Sequence, residues 1–483
     1  MDIDPTSTSS TTVKAPPPKK AKVVTPSASS ETASRHPDMS LAMSIHRLTM
    51  VQGGKLSVED ATSIIGTRPT ELVEQVMKRV GTGGISLNEA IAANTAKYIK
   101  VEKGEADTTG TPAVAVTVVD EKNDNKDHDD KEAEEDEALL NPHLYRHLQT
   151  TLSYKGGMSE SDLETLTAHH ATVLTHLQSL VTKAIDEAGD MEVLTANMDI
   201  ARYQAKVSTK DVALAAYSTV LALPKLSSGK KLDAHLEMAR VCSFWGDYRK
   251  MADMLSDASK AIAKGGDWDR RNRLKIYRAL SFLTVRDVKS ASDLLIEGMA
   301  TFSCPELCSY EEYIEYAILA GLLSLKRTEL KKKIIDGSEV LQVAKDIPVL
   351  IRLANTLYDC DYKSYLHALV DLQPHLIANR YLQPHAGYLL RELHVLAYQQ
   401  FLDSYQSVTL LSMATSFGVG TDFLDVQLSR FIAAGRLTAK IDKYGGVVET
   451  NRPDYKNARY QEMIQKGDLL LNRIQKLGRV VDL

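Results

Sequence analysis

The sequence predicts a mainly α protein: a helical-repeat (TPR-like) solenoid, then a winged helix and a long C-terminal helix, behind a disordered N-terminus. Three observations predict it. From Asn141 onward apolar residues recur at helical spacing, with Pro and Gly at intervals that punctuate helices. Beyond Ser407 two short helices precede two strand-like pieces joined by a turn. From Tyr455 the chain keeps one apolar stripe to its end.

Residues 1–40 are Ser, Thr, Pro, Ala and Lys with almost no large apolar side chain. Such a segment cannot bury enough surface to offset its ordering entropy, so it is predicted to be a disordered tail. Within it, Pro16-Pro17-Pro18-Lys19-Lys20-Ala21-Lys22-Val23 is a basic cluster on an extended backbone. Lys19, Lys20 and Lys22 suit a nuclear-import receptor, and equally a solubilising tail. Residues 41–105 are weakly helical and predict a small helical or partly ordered extension. Ser57-Val58-Glu59-Asp60 starts one helix, and Thr70 to Val80 is an amphipathic run ended by Gly81-Thr82-Gly83-Gly84. Neither this Gly-rich piece nor Gly53-Gly54-Lys55-Leu56 continues as a phosphate loop. Residues 106–139 are an acidic linker. From Asp120 to Glu137 eleven acids face three lysines, and such charge repels itself and separates its two sides.

Residues 140–286 predict the repeat arm. Lys206–Leu223, His235–Ile262 and Arg271–Phe302 are weakly self-similar. Asp211, Asp247 and Asp287 mark turns, each followed by an apolar or aromatic residue and then a small one, at Ala215, Ala252 and Ala291. Leu255 and Leu295 match as well. The period of 36 to 40 residues is that of a helix–turn–helix unit, which must stack to bury its apolar face. Helices continue over Tyr310–Lys326, Lys332–Val343, Pro348–Tyr358, Tyr362–Leu372 and Gly387–Ser404, with Pro305, Pro348, Pro374 and Pro384 between them or at their starts.

In the last hundred residues, Ser407–Phe417 and Thr421–Ala434 read as helices closed by Gly418 and Gly435. Leu437–Ile441 and Val447–Glu449 flank Asp442-Lys443-Tyr444-Gly445-Gly446, which is hairpin chemistry. Helix, helix, hairpin is the order of a winged helix. In the final helix, Met463, Leu470, Ile474, Leu477 and Val481 alternate at three and four, with Gly467 at the missing position; this is a packing seam.

Composition narrows the function classes. The 483 residues, 43% hydrophobic, allow about two to four structural units with a real core. Net charge is −5, and the acidic run alone accounts for −8, so the remainder is near +3 and no strongly basic nucleic-acid binder is expected. Four cysteines fit a reducing compartment and exclude a disulfide scaffold. No stretch approaches ~18 consecutive apolar residues, and the N-terminus lacks the apolar core of a secretory signal. The expectation is a protein of cytoplasm and nucleus.

Several runs carry a resemblance. They are Gly265-Gly266-Asp267-Trp268-Asp269-Arg270-Arg271-Asn272-Arg273-Leu274-Lys275, Leu428-Ser429-Arg430-Phe431-Ile432-Ala433-Ala434-Gly435-Arg436-Leu437, Glu449-Thr450-Asn451-Arg452-Pro453-Asp454, and Lys466 to Leu477. From about Asn141 to Leu483 the chain resembles the family of the seventh non-ATPase subunit of the 26S proteasome regulatory-particle lid, a PCI-domain family. The resemblance implies a PCI domain over 287–455, with the winged helix about 387–455, and a C-terminal assembly helix over 456–483. It implies a non-catalytic scaffold in ubiquitin-dependent protein catabolism, whose partners are other lid and base subunits, neighbouring PCI-domain subunits and a small acidic lid subunit. The first ~140 residues depart from the family, which begins with a shorter acidic helical region. PCI scaffolds of the COP9 signalosome and of translation initiation share the architecture and are the alternative.

The remaining motifs are weighed one by one. A winged helix raises DNA binding, but the second helix offers Asp422, Asp425, Gln427 and a single Arg430, and carboxylates at its leading end repel phosphates. Phe423, Leu424, Leu428, Phe431 and Ile432 are expected to fill its core. Val447 and Val448 read as an exposed strand edge able to pair with a neighbour's sheet, or as core. Arg270, Arg271 and Arg273 read as partners of nearby acids such as Asp267 and Asp269, or of an acidic protein. Cys304 and Cys308 lack a second zinc-ligand pair, and Cys242 and Cys360 read as buried thiols. His143, His147, His169, His170 and His176 show no His-Glu-x-x-His pattern and read as surface or core residues. No catalytic residue, metal site, cofactor, membrane segment or direct nucleic-acid contact is expected.

Overall fold

The computed structural model describes residues 36–99, 138–154, 157–187, 189–224, 226–263, 265, 267–450 and 455–481. The tail up to residue 35, with Lys19, Lys20 and Lys22, and the acidic run between Asp120 and Glu137 lie outside the described residues.

The extension has four helices: α1 (Met39–Gln52), α2 (Val58–Ile65) and α3 (Pro69–Val80), which pack on one another, and α4 (Leu87–Tyr98), which buries Ala90 against Leu140 and Leu166. Each start has a local cause. Asp38 accepts from the Ser40 amide and Ser57 from that of Asp60. Pro69 occupies the first turn of α3, and Ser86 with Glu89 forms a capping box on α4. Helix α1 thus begins at Met39, inside the stretch expected to be tail. Leu41, Leu48, Leu72, Val76 and Val80 bury against Tyr145 and Leu148 of α5 (Pro142–Thr151). The incoming chain pairs with the end of α3: the Leu139 amide donates to Arg79 O at 2.8 Å and that of Asn141 to Val80 O at 3.1 Å.

Helix α6 (Glu160–Glu187) leads to the arm, whose pairs are α7 (Asp190–Val207) with α8 (Lys210–Leu221), α9 (Ser228–Phe244) with α10 (Tyr248–Ala263), and α11 (Trp268–Val285) with α12 (Val288–Gly298). The repeat register differs from the expected one at its first member. Asp247 and Asp287 do open second helices, but their counterpart is Thr209, two residues before Asp211. Four and eight residues on, Ala213 and Tyr217, Met251 and Leu255, and Ala291 and Leu295 are all buried, whereas Ala215 and Ala252 face outward. A helical face repeats at three and four residues, so Ala252, five after its cap, and Ala215, six after, fall on the outer side, while Ala291, four after, faces the core.

The C-terminal half continues with α13 (Tyr310–Ser324), α14 (Pro348–Asp359), α15 (Tyr362–Ala378) and α16 (Ala386–Leu402). The single helix expected over Lys332–Val343 is broken into a π turn at Lys331–Ile335 and a short helix at Ser338–Val343. Ile334 of that turn lies against Gly321 of α13, where a Cβ would stand 2.4 Å from its Cδ1. Pro374 sits inside α15 rather than between helices. The winged helix comprises β1 (Ser407–Thr409), α17 (Leu410–Phe417), α18 (Thr421–Ala433), β2 (Ala439–Asp442) and β3 (Val447–Thr450). Ser407–Thr409 is therefore a strand, and Thr409 caps the helix that follows. One continuous apolar core runs from Met39 of α1 through the repeats to Val448. Helix α19 (Tyr455–Val481) stands outside it.

Candidate interaction surfaces

Along α19 every described side chain is exposed. Met463 is 68% exposed, Leu470 61%, Ile474 61% and Leu477 65%. Ile464, Leu469 and Leu471 widen this stripe beyond the predicted seam. An amphipathic helix is stabilised by burying its apolar face, and each such side chain gains about 1.5–3 kcal/mol on burial. The seam residues are thus brought together on one helix with no covering side chain from the described residues.

The wing departs from the expected arrangement. The sheet order is β1-β3-β2, both pairings antiparallel. Val448 faces Val408 on one side and Ile441 on the other, and is fully buried. Val447 and Val448 are therefore not an exposed edge; β3 is central because β1, forty residues earlier, closes its other side. The outer edges belong to β1 and β2, and these carry the backbone groups a further strand would need.

The three arginines divide. Arg270 makes a bidentate pair with Asp233 of α9, at 3.0 Å on both oxygens. Arg273 meets Glu306 at 2.8 Å with both side chains more than nine-tenths buried. Glu306 carboxylate, the largest favourable influence, holds the guanidinium charged despite its burial. Arg271 alone is exposed. Asp267 instead caps α11 through the Trp268 amide. One turn earlier in the arm, Arg202 of α7 pairs with Glu237 of α9 at 2.8 Å, and Tyr217 donates to the same carboxylate. Tyr277 repeats that role on Glu306. Arg202 and Arg270 thus cross-link successive helix pairs and Arg273 ties α11 to the turn after α12, signals invisible in sequence because the partners stand 33 to 37 residues apart.

On α18, Leu424, Leu428 and Phe431 are core and Ile432 is half-buried, but Phe423 points outward. Asp425 is engaged by Lys443 at 3.4 Å. The helix that would enter a groove therefore leads with acids and an exposed ring.

Among the described residues no group of three His, Cys, Asp or Glu is placed to hold a metal ion. His170 is buried in a polar network. Its Nε2 donates to Leu140 O at 2.7 Å, and Tyr203 Oη donates to Nδ1 at 2.8 Å. Burial holds this imidazole down to about 4. His169 accepts from Asn94 of α4, while His143 and His147 are exposed. Cys242, Cys304 and Cys308 are buried, and burial pushes each thiol up, away from the reactive thiolate. Cys360, expected to be buried, is exposed because it forms the left-handed end of α14, φ 63°.

Comparison with known proteins adds independent matches. A family profile described as 26S proteasome subunit RPN7 matches residues 160–333. A PCI-domain profile matches 364–452, and one for the RPN7/PSMD6 C-terminal helix matches 459–481, which is α19. The chain is 40% identical over 326 residues to the 26S proteasome non-ATPase regulatory subunit 6 homolog of Arabidopsis thaliana, covering 68% of this chain and 84% of that protein. It is 39% identical over 302 residues to the 26S proteasome regulatory subunit RPN7 of Saccharomyces cerevisiae, covering 62% and 70%. COP9 signalosome complex subunit 1 of Arabidopsis thaliana is more distant, at 28% over 198 residues, 41% of this chain and 45% of that protein.

Proposed function

Because this chain belongs to the family of 26S proteasome subunit RPN7, we propose that it is a non-catalytic structural subunit of the proteasome regulatory-particle lid, supporting ubiquitin-dependent protein degradation. The observation that carries this reading is α19. It leaves eight large apolar side chains in water, whereas no other helix among the described residues exposes more than two. Such a face favours packing against helices of other chains.

The mechanism is geometric. The arm sets spacing, the outer edges of β1 and β2 offer lateral pairing to neighbouring PCI-domain subunits, and α19 locks the assembly. Partners are other lid and base subunits, in cytoplasm and nucleus. A small acidic lid subunit would find Arg271 on the arm, since Arg270 and Arg273 are committed to Asp233 and Glu306. Among the described residues no helix is long and apolar enough to cross a membrane.

The test is purification through a C-terminal tag on a long flexible linker, with co-purifying chains identified by mass spectrometry. Lid and base subunits together are the expected result. Signalosome or initiation-factor subunits instead would keep the PCI scaffold and overturn the complex assigned to it.

A further inference from the structure

Three parts of the chain meet where the arm joins the C-terminal half. From the C-terminal side, Arg380, between α15 and α16, donates through Nη2 to the carbonyls of Ser243 and Phe244, both at 2.6 Å. These are the last carbonyls of α9, beyond reach of its own amides; that of Ser243 also accepts from the Gly246 amide at 3.0 Å. Tyr381 lies against the same end, its hydroxyl 3.3 Å from Ser243 Oγ and its ring beside Tyr248. Farther along, His385 donates to Thr284 O of α11 at 2.8 Å, and Arg286 covers the ring of Tyr388.

The third part is α1, and it touches both sides. Toward the arm, the His36 carbonyl just before it accepts from Arg240 Nη2 of α9 at 3.0 Å; Arg240 is 0% exposed. Toward the C-terminal half, Met43 Sδ accepts from the Arg380 amide at 3.4 Å, and His46 Nε2 stands 3.3 Å from Ile377 O. Arg47 faces Glu312 of α13 at 3.7 Å. Met39, Ala42 and Met43 enter the core shared by both halves. A helix anchored to two bodies across a joint removes the freedom of that joint, because packed interfaces have discrete arrangements rather than a continuum.

We propose that α1 is an intramolecular clasp that fixes the angle between the repeat arm and the C-terminal half. The N-terminal extension thereby presets the curvature at which the wing and α19 are presented. The clasp consists of contacts within one chain, so it holds or fails independently of which complex the chain joins.

The test uses the full chain with Cys360→Ser and nitroxide labels at Asp253→Cys on α10 and Gln399→Cys on α16, both exposed positions. Pulsed dipolar spectroscopy reads the distance between them. Hydrogen exchange at residues 41–48 reports whether α1 is docked. Two variants release it: Met43→Glu, which puts a charge into the core, and Arg47→Glu, which reverses the partly buried pair with Glu312. The second serves where the first does not fold. The expected result is one narrow distance in the parent and its loss in each variant that deprotects α1. Deprotected α1 with an unchanged narrow distance overturns the proposal. So does a Met43→Glu/Arg47→Glu double variant whose α1 stays protected, because the named contacts then do not hold it.

Discussion

Helices α1 and α19 stand at opposite ends of the described chain, and both carry an apolar stripe. Helix α1 has Leu41 and Leu48 buried under its neighbours, and α19 has Leu470 and Leu477 in water. The difference does not lie in how apolar the stripes are. It lies in whether the chain itself supplies the covering surface. For α1 that surface is α3, α5 and the joint beside Arg380; for α19 the described residues supply none, and under the proposed function it comes from another chain.

The same substitution should therefore have opposite consequences at the two ends. Leu41→Asp buries an unpaired carboxylate and is expected to cost more than about 4 kcal/mol of chain stability, read by denaturant unfolding. Leu470→Asp with Leu477→Asp should leave the unfolding midpoint of the isolated chain unchanged and abolish incorporation into the complex. Loss of stability in that double variant would mean that α19 packs on its own chain and would erase the contrast.

Within the arm, Arg273→Met leaves Glu306 buried without its cation and is expected to cost about 3–5 kcal/mol. Adding Glu306→Gln should recover most of the loss, because the amide still accepts from Tyr277 and carries no charge. A double variant as unstable as the single one would show that packing, not charge, holds this crossing.

A smaller effect lies beneath α1. Burial, with Glu312 beside it, pushes the carboxyl of Glu315 up to about 7 from 4.5, while Arg47 opposes the shift. The folded state thus binds the proton more tightly than the unfolded one. Its contribution is complete below pH 4.5 and is lost as pH rises through 7. Glu315→Gln should remove that dependence and stabilise the chain by up to about 3 kcal/mol above pH 7, measured by unfolding across pH. The opposite sign holds at His170, lowered from 6.5 to about 4. Its contribution is complete above pH 6.5 and lost as pH falls through 4. His170→Gln should cost about 1–2 kcal/mol at neutral pH and flatten that acid limb.

Most helices were legible because their signals are local: Ser57 before an acidic first turn, Gly418 after Phe417, the seam of α19. The winged-helix order was legible for the same reason. What escaped depended on partners far along the chain. Three residues of β1 carry no period, so nothing announced that Val448 would be enclosed on both sides. The sequence sets Arg270 and Arg273 beside Asp267 and Asp269, whereas their partners are Asp233 of the preceding repeat and Glu306 in the turn after α12. The extension showed weak helices but no sign of the surface beneath them. Hydrophobicity alone buries Cys360 and Phe423, whereas a helix end and an outward helix face expose them.

The charge pairs along the arm also bear on how the arm can change length. Arg202 needs Glu237, Asp233 needs Arg270, and Arg273 needs Glu306, so the three crossings are not copies of one another. Excising the unit from α9 to α10 would bring α11 beside α7. Forty residues beyond Glu237 stands Tyr277, which has no carboxylate to offer Arg202. Repeats that look interchangeable in outline are keyed to their order. Gain or loss of a unit would strand a charge, so the arm keeps a fixed number of steps and hence a fixed reach.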